Sequence, residues 1–144
     1  FIDEIALLSQ GNQISLLRVL EEKIMRPLGS NKAISVDFRF ISATNEIFPD
    51  VLESGMFRRD LYHRISTLII RIPPLRKRKE DIIPLAEYFL SKERLNKKIS
   101  SHARHRLEGY VWHGNIRELS NIIKRSVIES EGRDTIEARD LIFF

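Results

Sequence analysis

The chain contains no cysteine, which removes disulfide frameworks and thiolate metal sites from consideration. No apolar run is long enough to cross a bilayer. The amino terminus lacks the basic flank, apolar stretch and small-residue cleavage site of a signal peptide. A cytoplasmic protein without a membrane partner is the expectation. Aromatic residues make up 8% of the chain and do not interleave with the basic residues as a base-stacking surface would require. There are four histidines, at His63, His102, His105 and His113. None stands at ligand spacing from another ligand type, so no metal site built from protein ligands alone is expected. Internal repeats and low-complexity segments are also missing.

What is present is one ordinary domain, or a small domain and a half, in 144 residues. The net charge of +4 is unevenly placed. Acids and bases cancel from Phe1 to Pro73, and the whole excess lies beyond. A basic balance is compatible with nucleic acid, but helical surfaces commonly carry such an excess of lysine and arginine.

Hydrophobic spacing sets the organisation. Phe1-Ile2-Asp3-Glu4-Ile5 reads as the end of a buried strand running into an acidic pair. A central strand needs neighbours on both sides, so the sequence is expected to be an excerpt of a longer protein. Residues 12–24 place Ile14, Leu17, Leu20 and Ile24 at helical spacing, with Gly11-Asn12 as the punctuation before them. Met25 to Asn31 is a short segment ending in a Gly-Ser-Asn turn. Residues 34–43 and 67–72 read as strands. Two short helices are expected near 49–54 and 57–64, with Gly55 as the stop between them. Pro73-Pro74 cannot continue a ladder and marks a boundary. Beyond it the pattern is helical throughout: 80–95, a short helix from Ser100 or Ser101 to Glu108, 115–130, and a last turn over 137–142. Strand, helix, strand, short helices and strand suit a parallel α/β sheet, and the remainder suits a small helical bundle.

Four clusters could carry chemistry. Asp3-Glu4 follows a strand, and acids at the carboxyl end of a parallel strand lie in the crevice where open α/β sheets bind ligands. A solvated turn would look the same. Asn45, ending Ser42-Ala43-Thr44-Asn45, could orient a water or a phosphate oxygen, or simply form a turn. Arg58 and Arg64 flank Asp60. Arginine suits a transferring phosphoryl group because it stays charged and presents a planar donor fork, though a surface salt-bridge helix would share the pattern. Arg117 falls in the first turn of a helix, where a cation opposes the helix dipole. It gains nothing locally there, which points to an outside anion, though an ordinary surface arginine would share the position.

Each cluster is common alone, but their order is specific. Phe1 to Ile5 resembles a Walker B strand. Leu16-Leu17-Arg18-Val19-Leu20-Glu21-Glu22 with Arg26-Pro27-Leu28-Gly29 resembles the helix and hairpin that follow it. Val36 to Asn45 resembles a first sensor strand. Gly55-Met56-Phe57-Arg58-Arg59-Asp60-Leu61-Tyr62-His63-Arg64-Ile65 resembles an arginine-finger segment. Pro73 to Ile82 resembles a linker to a lid, and Trp112-His113-Gly114-Asn115-Ile116-Arg117-Glu118-Leu119 resembles a second sensor. Together they resemble the sigma-54 activator branch of the AAA+ ATPases, nearly end to end.

The resemblance implies an α/β fold: part of a P-loop parallel sheet in residues 1–73, then a helical lid in 74–144. It implies that Asp3 serves Mg²⁺–ATP through water and that Glu4 activates the attacking water. Asn45 would sense the γ-phosphate. Arg58 and Arg64 would reach the ATP of the adjacent subunit in a ring, expected to be hexameric, and Arg117 would touch nucleotide in its own subunit. The implied partner is the sigma-54 RNA polymerase holoenzyme, with DNA bound by a separate domain. Three residues depart from the pattern: Ala6 for glycine, Arg59 for an acid, and His113 for proline. These 144 residues hold no Gly-x-x-x-x-Gly-Lys-Ser/Thr loop and no Gly-Ala-Phe-Thr-Gly-Ala segment for gripping sigma-54. ATP hydrolysis by this stretch alone is therefore not expected. The alternative is a regulator that kept the fold but binds effectors or another polymerase form without remodelling sigma-54.

Overall fold

Serine side chains start two of the helices, where the sequence offered glycine or serine as punctuation. Ser9 caps α1 (Gln10–Glu22), its hydroxyl accepting from Asn12 N at 3.4 Å. The helix therefore starts before Gly11-Asn12, which lie inside its first turn. It ends where Lys23 takes a left-handed conformation at φ 57°. Ile24 is outside it and begins β1 (Ile24–Met25), paired antiparallel with β2 (Ile34–Ser35). The buried face of α1 keeps the expected Leu17 and Leu20 but has Gln13 where Ile14 was expected. Gln13 and Leu20 are buried, Leu16 and Leu17 pack against the core, and Ile14 is exposed.

The computed structural model describes residues 1–27, 29–30, 32–93 and 96–143. The expected hairpin residue Leu28, the turn residue Asn31 and the expected helix end at Leu95 lie outside the described residues. Contacts divide the chain into two units, Phe1–Ile70 and Arg71–Phe144.

In the first unit, the expected strand over 34–43 is broken. After β2, pairing resumes only at Ser42, bridged in parallel to Ile2. Ile2 N donates to Ile41 O at 3.0 Å, Ala43 N to Ile2 O at 2.9 Å, and Ile5 N to Ala43 O at 3.0 Å. A short 3-10 helix (Ile5–Leu7) follows directly. Next come α2 (Phe48–Glu53) and α3 (Arg59–Ile65), separated by Gly55 at φ 72°. Thr67 to Ile70, expected to be strand, forms no ladder among the described residues, and Leu68 and Ile70 are exposed. Strand propensity is realised only where a ladder partner exists. The core comprises Ile5, Ala6, Leu20, Val51, Phe57 and Leu61, with Phe38, Phe40 and Phe48 packed on it. Phe48 meets the rings of Phe57 and Tyr62 at 5.1 and 4.9 Å.

The second unit is built on α4 (Ile82–Lys92), α5 (Ser101–Gly109) and α6 (Asn115–Glu129). Ser100 caps α5 through its hydroxyl, which accepts from Ala103 N. The last turn is a short 3-10 helix, Ala138–Asp140, closed by a capping box between Glu137 and Asp140. The helical reading missed one feature. β3 (Lys98–Ile99) pairs in parallel with β4 (Thr135–Ile136), tying the entrance of α5 to the end of the chain. Two-residue strands carry no periodicity long enough to see in sequence. The core joins Leu75, Ile82, Ala86, Leu90, Ile99, Ala103, Leu107, Trp112, Leu119, Ile123 and Ile136.

Below α6 the chain is tied by a fork. Arg133 Nη1 and Nη2 donate to Asp140 at 3.0 and 2.8 Å, and Asp140 is 4% exposed. Arg133 holds the Asp140 carboxyl below its usual range against the opposing effect of burial, with help from the Glu137 N–H. A carboxyl depressed in the fold contributes stability that is present above its unfolded value, about 3.9. That stability is lost as pH falls through the lower folded value. The stability gap between wild type and Asp140→Asn should therefore close as pH falls below the unfolded value and through the lower folded one. Acid unfolding followed by circular dichroism checks this, and a gap that stays constant with pH would be inconsistent with it.

Candidate functional site

The two acids predicted at the strand tip sit at a break in backbone regularity. The parallel pairing of Ile2 with Ser42 carries the chain to Asp3, which is exposed. Glu4 then turns into a left-handed conformation at φ 50°, ψ 47°. A non-glycine residue there is strained by on the order of 1 kcal/mol or more, and such residues cluster at functional sites. Two bonds hold the turn. Glu4 N donates to Asp3 Oδ1 at 3.0 Å, and Glu4 Oε2 accepts a long 3.4 Å bond from Asn45 N. The strand pairing thus brings the adjacent acids Asp3 and Glu4 to Asn45, which is distant in the chain. Asn45 takes part through its backbone N–H, and its side chain is free of partners among the described residues. Asp3 Oδ2 has no partner among the described residues either. A hard, exposed carboxyl oxygen of this kind fits a water-mediated Mg²⁺ contact.

Arg58 is placed differently. It is the residue before the first turn of α3, anchored by its neighbour Phe57, which is 2% exposed in the core. Its guanidinium forks onto Asp60, with Nε 3.0 Å from Oδ1 and Nη2 on Oδ2. Asp60 Oδ1 also accepts from Leu61 N at 2.7 Å. The pair raises Arg58 above its usual value, first through the hydrogen bond to Asp60, and lowers Asp60 for the same reason. Both side chains are more than a third exposed, so solvent screens the pair. Arg64, at the other end of α3, donates to Leu20 O at 3.3 Å and lines a cleft of about 750 Å³ with Lys23, Arg39 and Ser42. Among the described residues, neither arginine bonds to Asp3, Glu4 or Asn45.

In the second unit, Arg117 is exposed on the first turn of α6 and makes no ion pair among the described residues. The turn before it is unusual. Trp112 and Asn115 both have φ 54°, whereas Gly114 does not need positive φ. The glycine serves close approach instead, because a Cβ there would lie 2.8 Å from Glu118 Cβ. Glu118 accepts from Gly114 N at 2.8 Å and from Tyr110 OH at 3.0 Å. Asn115 Oδ1 accepts from Leu75 N at 2.9 Å, and Trp112 Nε1 donates to Leu107 O at 2.9 Å. With His113 in place of proline, the turn is held by these four side chains.

Sequence reasoning missed Gln13. It is fully buried, and its amide makes three bonds, one of them to Arg58 N. The signal was present: 13, 16–17 and 20 have helical spacing, with a polar residue on the core face.

Comparison with known proteins follows the same division. The model described as the sigma-54 interaction domain matches residues 1–71, and that described as an AAA+ ATPase lid domain matches 76–143. The transcriptional regulatory protein ZraR of Klebsiella oxytoca is 42% identical over 98% of this chain and 33% of its own length. The nitrogen fixation protein AnfA of Azotobacter vinelandii is 42% identical over 98% of this chain and 27% of its own. The chain thus spans about a third or less of these relatives. The crystal structure of NtrX from Brucella abortus in complex with ATP is 33% identical, with a TM-score of 0.86 over 97% of this chain and 35% of that one. Among the described residues no helix is long and apolar enough to cross a membrane.

Proposed function

Because this chain belongs to the sigma-54 interaction domain family of AAA+ ATPases, we propose that it is part of an ATP-hydrolysing transcription regulator that remodels sigma-54 RNA polymerase. In this reading residues 1–73 complete the nucleotide-binding α/β subdomain and 74–144 form its lid. The observation that carries the reading is the joining of Asp3, Glu4 and Asn45 at one strand tip, with Glu4 in a strained conformation.

The chemistry proposed is ATP + H₂O → ADP + phosphate. When bound, Mg²⁺ would neutralise charge on the β- and γ-phosphates, and Asp3 would hold it through water. Glu4 orients the attacking water and accepts its proton as the oxygen–phosphorus bond forms. Asn45, whose side chain has no partner among the described residues, reports the γ-phosphate. Arg58 and Arg64 stabilise the transferring group in the neighbouring subunit of a ring, which accounts for their lack of bonds to the acidic cluster of their own unit. Arg117 would contact nucleotide within its own subunit, where its charge, unpaired among the described residues, finds a phosphate. DNA would be bound by a domain outside these residues.

The full-length protein is expected to show magnesium-dependent ATP turnover and to open a promoter held by sigma-54 holoenzyme. Residues 1–144 alone are expected to show neither, because their sequence holds no Gly-x-x-x-x-Gly-Lys-Ser/Thr loop to grip the β- and γ-phosphates. A phosphate-release assay beside a promoter-opening assay checks both. Turnover without opening of the sigma-54 complex would favour action on another polymerase form. Absence of turnover from the full-length protein would sink the proposal.

A further inference from the structure

Arg58 N lies at the position just before a helix, where a backbone N–H needs an acceptor. In a capping box the side chain three residues into the helix supplies that acceptor. Here that residue is Leu61, which is apolar and fully buried. The acceptor comes instead from Gln13, on α1, whose Oε1 takes the Arg58 N–H at 2.9 Å. Gln13 Nε2 donates to Leu8 O at 2.7 Å and to Met56 O at 2.9 Å. The amide can sit only one way round, because a flip would set its oxygen against two carbonyls. Gln10, one turn earlier on the helix, adds bonds from Nε2 to Gly55 O and Met56 O at 3.2 and 3.1 Å.

The three partners of Gln13 are not equivalent. Leu8 closes the 3-10 helix that begins directly after Glu4. Met56 and Arg58 flank Phe57 in the loop ahead of α3. Building on the reading of Arg58 above, we propose that Gln13 is a positioning residue for the arginine finger. Its single buried amide holds the Arg58 backbone in register with the segment following Glu4. The acid of one ATP site and the arginine delivered to the next are then parts of one rigid body.

A merely structural role would lower stability without respecting which subunit supplies the finger, so the test is complementation in full-length rings. Gln13→Met keeps the size but removes all three bonds. It is expected to assemble, and to lose about 10- to 100-fold in kcat through misplacement of Arg58, with little change in KM for ATP. Glu4→Gln subunits lack the proposed base but keep an intact finger. Mixed with Gln13→Met subunits, they should restore turnover above the sum of the two, because Gln13→Met sites receive Arg58 from Glu4→Gln neighbours. Arg58→Ala mixed with Glu4→Gln is the control and should complement likewise. If the control fails, the reading of Arg58 as a finger fails. If the control complements and Gln13→Met does not, the Gln13 proposal is overturned. Unchanged turnover by Gln13→Met alone also overturns it, as does loss of ring assembly, which would make Gln13 a structural residue only.

Discussion

Glu4→Gln is expected to reduce ATP turnover by the full-length protein about 10²- to 10⁴-fold, the range associated with removing a positioned general base. The substitution separates chemistry from folding well. Glutamine has the same size as glutamate, and its side-chain oxygen can still accept from Asn45 N, the bond seen at 3.4 Å. The left-handed backbone at φ 50° places the same demand on either residue. Nucleotide binding should therefore persist while hydrolysis stops, and rings of this variant should hold ATP. Phosphate release measured beside equilibrium nucleotide binding tests both halves. A fall of less than about fivefold in turnover would remove Glu4 from the role of base. Equal loss of binding would instead indicate that the strand tip had rearranged.

Trp112→Ala should have the largest effect on stability. Trp112 is fully buried in the lid unit, with the rings of Tyr110 and Phe143 at 5.1 and 6.0 Å. Truncating a buried tryptophan costs about 3–5 kcal/mol, against about 5–15 kcal/mol for a whole domain. The lost bond to Leu107 O adds little, because that carbonyl also accepts from Tyr110 N. Most of the loss is cavity and contact. For a unit of this size that is a fall of about 12–40 °C in the thermal midpoint. Thermal unfolding followed by circular dichroism measures it. Trp112→Phe, which refills much of the cavity, should lose clearly less. A midpoint unchanged in Trp112→Ala would show that the indole does not organise the lid.

The local parts of this architecture were legible from residue type and spacing. Gly55 and Ser100 act where they were expected, one as a helix stop and the other as a cap. The apolar spacing of Ile82, Leu85, Ala86 and Phe89 identified the inner face of α4. In α1 the spacing places Leu17 and Leu20 correctly, and errs at Ile14 and Ile24, because these are apolar and the buried Gln13 is not. The spacing rule assigns apolar residues to the core, so it passes over Gln13 even though 13, 16–17 and 20 share one helical face. The strands failed for a related reason. Residues 36–41 and 67–70 have strand composition, but a ladder depends on a second segment, which composition does not describe.

The sequence by itself determined the helices of the lid, the breaks between elements and the order of the motifs, because these depend on residues a few positions apart. Only the tertiary structure decided that Glu4 turns left-handed, that its carboxyl meets the Asn45 amide, and that Gln13 rather than a neighbour caps Arg58. Those features rest on hydrogen bonds spanning more than forty positions, from Glu4 to Asn45 and from Gln13 to Arg58. Local propensity does not encode such bonds, and they exist only once the two halves of the first unit have packed around Ile5, Leu20, Phe57 and Leu61.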